Sequence, residues 1–274
     1  MNHLIYLIID SARYDSFQSA ATPNMRNLGK LERRYSYAGW TSPSHFVYLM
    51  GMTPHVSPAG VFASEVYKKD YLKWGDRLGI SNLAMRDFVP GFWLPQFLKS
   101  KGYQTHARVS MPIINPMTIL NASFDSYRLM NRYNDFGKMI EEVSFSSGPN
   151  FYLLNLGEAH YPYGIPPEEM PPLHGESGVF KRSGEDVFGH RPDTPDLTGY
   201  YFEKKHLDFF RARQIAAIEE VDRLMEILFK KCPPGTHVII TSDHGELFGE
   251  DGYFGHGPIM HPKVFEVPFI EGMI

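Results

Sequence analysis

Three short runs constrain this sequence more than anything else in it: LIYLIID (residues 4–10), NFYLLNLG (150–157) and THVIITSDHGE (236–246). Each carries an apolar run, the pattern of a strand buried on both faces of a sheet, and the third breaks into polar residues at its C-terminal end. Between them lie helical patterns. In GFWLPQFLKSKGYQTHARV, Phe92, Leu94, Phe97 and Leu98 share a helix face, Gly102 ends the helix and YQTHARV reads as the next strand. In LDFFRARQIAAIEEVDRLMEILFKK, Ile215, Ile218, Val221, Leu224, Met225 and Leu228 recur at helical spacing, and Pro233, Pro234 and Gly235 stop the helix. The order strand, helix, strand, helix, strand predicts an α/β fold with a mostly parallel central sheet flanked by helices.

Elsewhere the signal is local. Thr22 reads as an N-cap with Pro23 at the first helical position, and HFVYLMGM as a short helix stopped near Gly51. Residues 53–90 read as long loops with short helices, and residues 161–200, heavy in Pro, Gly and charge, as a long loop or lid. The length suits one large domain. A formal net charge of −4 argues against a nucleic-acid binder. The single cysteine, Cys232, excludes an internal disulfide and a CxxC metal site. No run reaches the roughly 18 apolar residues of a membrane span, so the simplest expectation is a soluble, cytoplasmic protein, with oligomerisation left open.

In parallel α/β sheets, sites form beyond the carboxyl ends of the strands. Here those ends carry Asp10, the Glu158/His160 pair and Asp243-His244. Two carboxylates and an imidazole suit Zn²⁺ or Mn²⁺, and an oxygen-richer set Mg²⁺ or Ca²⁺. A cation there would also activate a hydroxyl without a basic partner. Thr41, in AGWTSPSHF before a short helix, is the hydroxyl in question; its bland alternative is a helix cap.

At this point the chain resembles a known group, the alkaline phosphatase superfamily and its sulfatase-like branch. IIDSARYD resembles the first metal strand, with its aspartate at Asp10 and its arginine at Arg13. TPNMRNL, TSPSH, FLKSKGYQT, GEAHYPY and ITSDHGELFGEDGYFGHG resemble, in order, the next five elements. The resemblance implies a sulfatase-like catalytic domain over residues 1–274, without the usual C-terminal subdomain. It implies Asp10, Asp243, His244 and Thr41 as metal ligands and Thr41 as nucleophile. It implies His160 and His256 as groups that contact the substrate's anionic oxygens, protonate a leaving group or hold a second metal, and Arg13 as a substrate contact. Glu158 stands as either a ligand or a supporting residue.

Departures from the pattern set the chemistry. Thr41 cannot form the aldehyde hydrate that a sulfatase makes from Cys or Ser, and threonine there resembles the phosphoester-cleaving and phosphoryl-transferring branches. The motif's arginine is His45, and the second aspartate of the usual pair is Ser11. The expectation is a metal-dependent phosphoester hydrolase acting on a small phosphorylated molecule. A transferase on the same scaffold, a sulfatase and a non-catalytic binding protein are its alternatives. One divalent ion is expected, with a second allowed.

Overall fold

The structure is a computed structural model that describes residues 1–56, 60–89, 91–171 and 203–274. The chain runs β1 (Leu4–Ile9), α1 (Tyr14–Ser19), α2 (Pro23–Leu28), β2 (Glu32–Tyr35), α3 (Thr41–Leu49), α4 (Ala63–Leu78) and α5 (Leu94–Ser100). It continues through β3 (Gln104–Val109), β4 (Ser126–Leu129), α6 (Phe136–Glu142), β5 (Asn150–Leu156) and α7 (Lys204–Lys231). Last come β6 (His237–Thr241), β7 (Leu247–Phe248), β8 (Phe254–Gly255), α8 (Pro262–Phe265) and β9 (Glu266–Met273). Seven strands form one sheet in the order β2-β9-β6-β1-β5-β3-β4. Strands β6, β1, β5, β3 and β4 are parallel; β9 runs antiparallel to both β6 and β2. Strand β2 therefore joins the sheet only through β9. A β7–β8 hairpin stands apart.

The period-2 geometry of a strand divides each apolar run between two cores. Ile5, Leu7 and Ile9 pack with Phe17, Met25, Phe136, Met139, Ile218, Val221, Met225 and Leu228, under α1, α2, α6 and α7. Leu4, Tyr6 and Ile8 pack with Tyr48, Leu49, Trp74, Leu78, Leu94 and Leu98, under α3, α4 and α5. The result is the expected helix–sheet–helix sandwich. Every residue of β1 is fully buried, because a parallel strand covered on both faces has no solvent side.

Residues 53–90 depart from expectation: α4 is a 16-residue helix. Among its described side chains, Tyr71, Trp74 and Leu78 are the buried apolar residues, among many charges, so its stripe is narrow. Its Arg77, 1% exposed, donates to Glu271 at 2.8 Å and lies over the Trp74 ring, so a charge occupies what would be an apolar position. Thr22 takes the N-cap position of α2, but its side chain does not cap. Instead Asp222 of α7 accepts the N–H groups of Asn24 at 3.1 Å and Met25 at 2.8 Å. Most of the 161–200 stretch lies outside the described residues. Among the described residues no helix is long and apolar enough to cross a membrane.

Candidate metal centre and active site

The carboxyl ends of β1 and β6 lie side by side, because the two strands pair in register from Leu4–His237 to Ile8–Thr241. The residues that follow, Asp10 and Asp243-His244, are completely buried. Ser11 has φ 60°, a left-handed conformation uncommon outside glycine and asparagine. In that conformation its N–H donates to Asp243 Oδ1 at 3.1 Å and its hydroxyl meets Asp10 Oδ1 at 3.2 Å. Asp243 Oδ1 also accepts the His244 N–H at 3.0 Å, while Oδ2 is buried with no hydrogen-bond partner. Asp10 Oδ2 accepts from Asn155 Nδ2 at 3.1 Å.

His244 is oriented by its own backbone. Its Nδ1 lies 2.9 Å from the Gly245 carbonyl, which can only accept, so Nδ1 carries the proton and Nε2 keeps its lone pair. That nitrogen is 3.4 Å from Asp243 Oδ2, 3.8 Å from Asp10 Oδ1 and 3.4 Å from Thr41 Oγ1. Thr41 opens α3, and its hydroxyl is also 3.4 Å from Asp10 Oδ2. His45, one turn along α3, donates Nδ1–H to the Thr41 carbonyl at 2.8 Å.

The donor set fits a divalent cation. Donor atoms of Asp10, Asp243 and His244 all lie within 4.8 Å of one another. Ligand arms of about 2.0–2.1 Å in a tetrahedral zinc site put donors about 3.3 Å apart, close to the separations around Thr41 and His244. The partnerless Asp243 Oδ2 points the same way, since a buried carboxylate oxygen without a partner is costly. Burial and the neighbouring Asp10 charge push Asp243 well above the usual carboxylate range. Burial also opposes ionisation of Asp10, yet the imidazoles of His160, His244, His45 and His256 hold it below that range. Burial, then His256, drives His244 well below the ordinary imidazole value, leaving it neutral as a ligand must be.

The two further histidines stand beside this set. The His256 ring is 4.2 Å from that of His244, and the His160 ring 5.2 Å from that of His256, centroid to centroid. His160 Nδ1 donates to the Tyr161 carbonyl at 2.7 Å, and His256 Nδ1 meets Glu246 Oε1 at 3.1 Å. Burial acts to lower His256, but the hydrogen bond and charge of Glu246 outweigh it and raise the group.

Arg13 and Glu158 are engaged elsewhere. The Arg13 guanidinium is 2% exposed and committed to Asp15 at 2.7 Å and Glu250 at 2.7 Å, bracing α1 against the segment after β7. Glu158 Oε1 accepts the N–H of Phe136, the first residue of α6, at 2.8 Å. Burial pushes its carboxyl up to about 7. Asn155, Glu246 and Tyr163 escaped the sequence reading. Asn155 had a visible signal, a lone amide inside the apolar run of β5; Glu246 and Tyr163 lay inside quoted motifs with no role read for them.

No protein-family model matches the chain. An uncharacterized sulfatase of Escherichia coli (strain K12), YidJ, is 22% identical over 153 residues, 53% of this chain. The match takes in 30% of that relative's length. The zinc complex of the C-terminal periplasmic domain of EcEptC from Escherichia coli superposes with a TM-score of 0.57 at 13% identity, over 99% of this chain and 72% of that one. Phosphonate monoester hydrolase of Agrobacterium radiobacter gives 0.58 at 15% identity, over 99% and 68%. At such identities the likeness establishes the fold.

Proposed function

From the premise that this chain has the alkaline phosphatase superfamily fold in its sulfatase-like form, we propose that it is a metal-dependent phosphoester hydrolase with Thr41 as nucleophile. The observation that carries the reading is the position of the Thr41 hydroxyl, 3.4 Å from both Asp10 Oδ2 and His244 Nε2. A divalent ion held by Asp10, Asp243, His244 and Thr41 would make the hydroxyl acidic and neutralise phosphoryl charge. The carboxylate–imidazole set favours zinc or manganese, and the zinc-bound relative supports zinc.

The chain's own residues then divide the work. The first turn of α3 offers N–H groups to an anion. Thr41 directs its proton at Asp10 Oδ2 and its lone pair at phosphorus. The new O–P bond forms as the bond to the leaving alcohol breaks. The raised His256, or His160 beside it, supplies the proton that the alcohol takes away. Water then attacks phosphorus and gives a proton back to that histidine, the Thr41 O–P bond breaks, and the threonine oxygen takes back the proton it had given up.

Hydrolysis of aryl phosphate, aryl phosphodiester and aryl sulfate, with zinc or manganese added, tests this. Phosphoester turnover is expected in the parent protein, with a phosphorylated Thr41 peptide trapped on quenching. Thr41→Ala should lose about a thousandfold or more. Turnover of the sulfate ester alone, or full activity in Thr41→Ala, would overturn the proposal. The likeness to a phosphoethanolamine transferase domain favours one second reading, in which the phosphoryl group passes to an alcohol. Products formed with added amino alcohols separate the two.

A further inference from the structure

Three imidazoles stand in a row, His244, His256 and His160, and they are held in different ways. His244 and His160 each give Nδ1 to a carbonyl of the adjacent residue, so the local backbone fixes them. His256 sits between Gly255 and Gly257, neither of which has a side chain to wedge the ring. Its Nδ1 goes instead to a side chain ten residues away, Glu246.

Glu246 is 1% exposed, and both of its oxygens are in use. Oε1 meets His256, and Oε2 accepts the hydroxyl of Tyr163. Tyr163 is also 1% exposed, and its ring is fixed by Tyr161, Phe210 and Phe248. It belongs to the turn that starts at His160, where its N–H donates to the His160 carbonyl at 2.7 Å. A contact chain thus runs from the His160 turn through Tyr163 and Glu246 to His256. It joins the loop after β5 to the segment after β6, which also meet through the rings of Tyr161 and Phe254.

We propose that Tyr163 and Glu246 are positioning residues for His256. The hydroxyl anchors the carboxylate, the carboxylate fixes Nδ1, and Nε2 is the nitrogen left to face the substrate. The physical basis is general: a ring nitrogen held by a buried carboxylate sets the direction and tautomer of the other. Without the hydroxyl, Glu246 Oε2 would be buried and unsatisfied, and the carboxylate would turn to recover a partner. The inference rests on the reading of His256 as a group that meets the substrate.

Tyr163→Phe and Glu246→Gln are isosteric, so they keep the test informative even where Glu246→Ala does not fold. Tyr163→Phe should lower kcat for the aryl phosphoester by about 10–100-fold, with KM changed less than about threefold. Glu246→Gln keeps an oxygen for the His256 Nδ1–H and should stay within about tenfold of the parent, whereas Glu246→Ala should fall much further. Nitrogen NMR of histidine-labelled protein at one fixed pH gives a second readout. The His256 Nδ1 signal should be that of a hydrogen-bonded N–H in the parent and should broaden or shift in Tyr163→Phe and Glu246→Ala. Unchanged kcat and an unchanged His256 signal in Tyr163→Phe would overturn the inference, as would equal losses in Glu246→Gln and Glu246→Ala. A parent protein inert to phosphoesters whose His256 signal still responds would sink the hydrolase reading and uphold the positioning.

Discussion

Ser11 and Asp243 show how single residues prepare the site. The left-handed φ of Ser11 aims its N–H at Asp243 Oδ1, which leaves Oδ2 as the free donor. Ser11→Gly should fold normally, whereas Ser11→Val should cost about 1–3 kcal/mol in urea unfolding, because a β-branched residue resists φ > 0. Asp243→Asn keeps the Oδ1 acceptor and removes the repulsion with Asp10. Its metal-stripped form should melt higher than the metal-stripped parent. It should also lose the stabilisation expected of zinc on the parent under the proposed function, about 2.7 kcal/mol at a hundredfold excess over Kd. Calorimetry with and without chelator reads both effects. Asp10, Asp243 and His244 were legible in the sequence because buried apolar runs ended on them. Ser11, Glu246 and Tyr163 act through hydrogen bonds to residues far away in the chain, and no spacing encodes those.

Elements are fastened to one another by buried carboxylates. Asp222 of α7 accepts two N–H groups in the first turn of α2 and the amide of Asn24. Asp222→Ala should therefore destabilise the protein by about 2 kcal/mol or more, measured by urea unfolding. Glu158 holds the first N–H of α6, with its carboxyl raised from 4.5 to about 7. The folded protein keeps this proton while the unfolded chain releases it. The group's contribution is thus fully present below pH 4.5 and is lost as pH rises to about 7. Glu158→Gln, a neutral isostere, should be more stable than the parent at pH 8 by roughly 3 kcal/mol and equal to it in acid, as denaturation midpoints across pH would register. The long helix α7 and the central strands were legible because their apolar spacing is regular. The edge strand β2, with sequence ERRY, and β9, carrying Pro268 and Gly272, were not. At the edge, β2 tolerates charge; β9 lies between β2 and β6, and there Pro268 and Gly272 break the apolar run that marks the other inner strands.

At the scale of the molecule, two apolar layers clamp the sheet, and the centre sits where the ends of β1, β5 and β6 meet α3. Arg77 and Glu271 tie α4 to β9 by an ion pair at 2.8 Å, with the guanidinium buried and the carboxylate half-buried. Burial opposes its ionisation, yet the His237 imidazole, then the Arg77 charge, hold Glu271 far below the usual carboxylate range. Glu271→Ala would remove the nearer partner of that guanidinium, 1% exposed, leaving it Asp70 at 3.4 Å, and should cost about 1–3 kcal/mol in the same unfolding assay. Strand β9 has a further consequence, for the time course of synthesis. A ribosome that has just made residue 35 must continue to residue 266 before the partner of β2 begins to appear. At roughly 5–20 residues per second that is some ten to fifty seconds. For that interval the nascent segment leading into Thr41 lacks the strand that β2 pairs with in the folded protein.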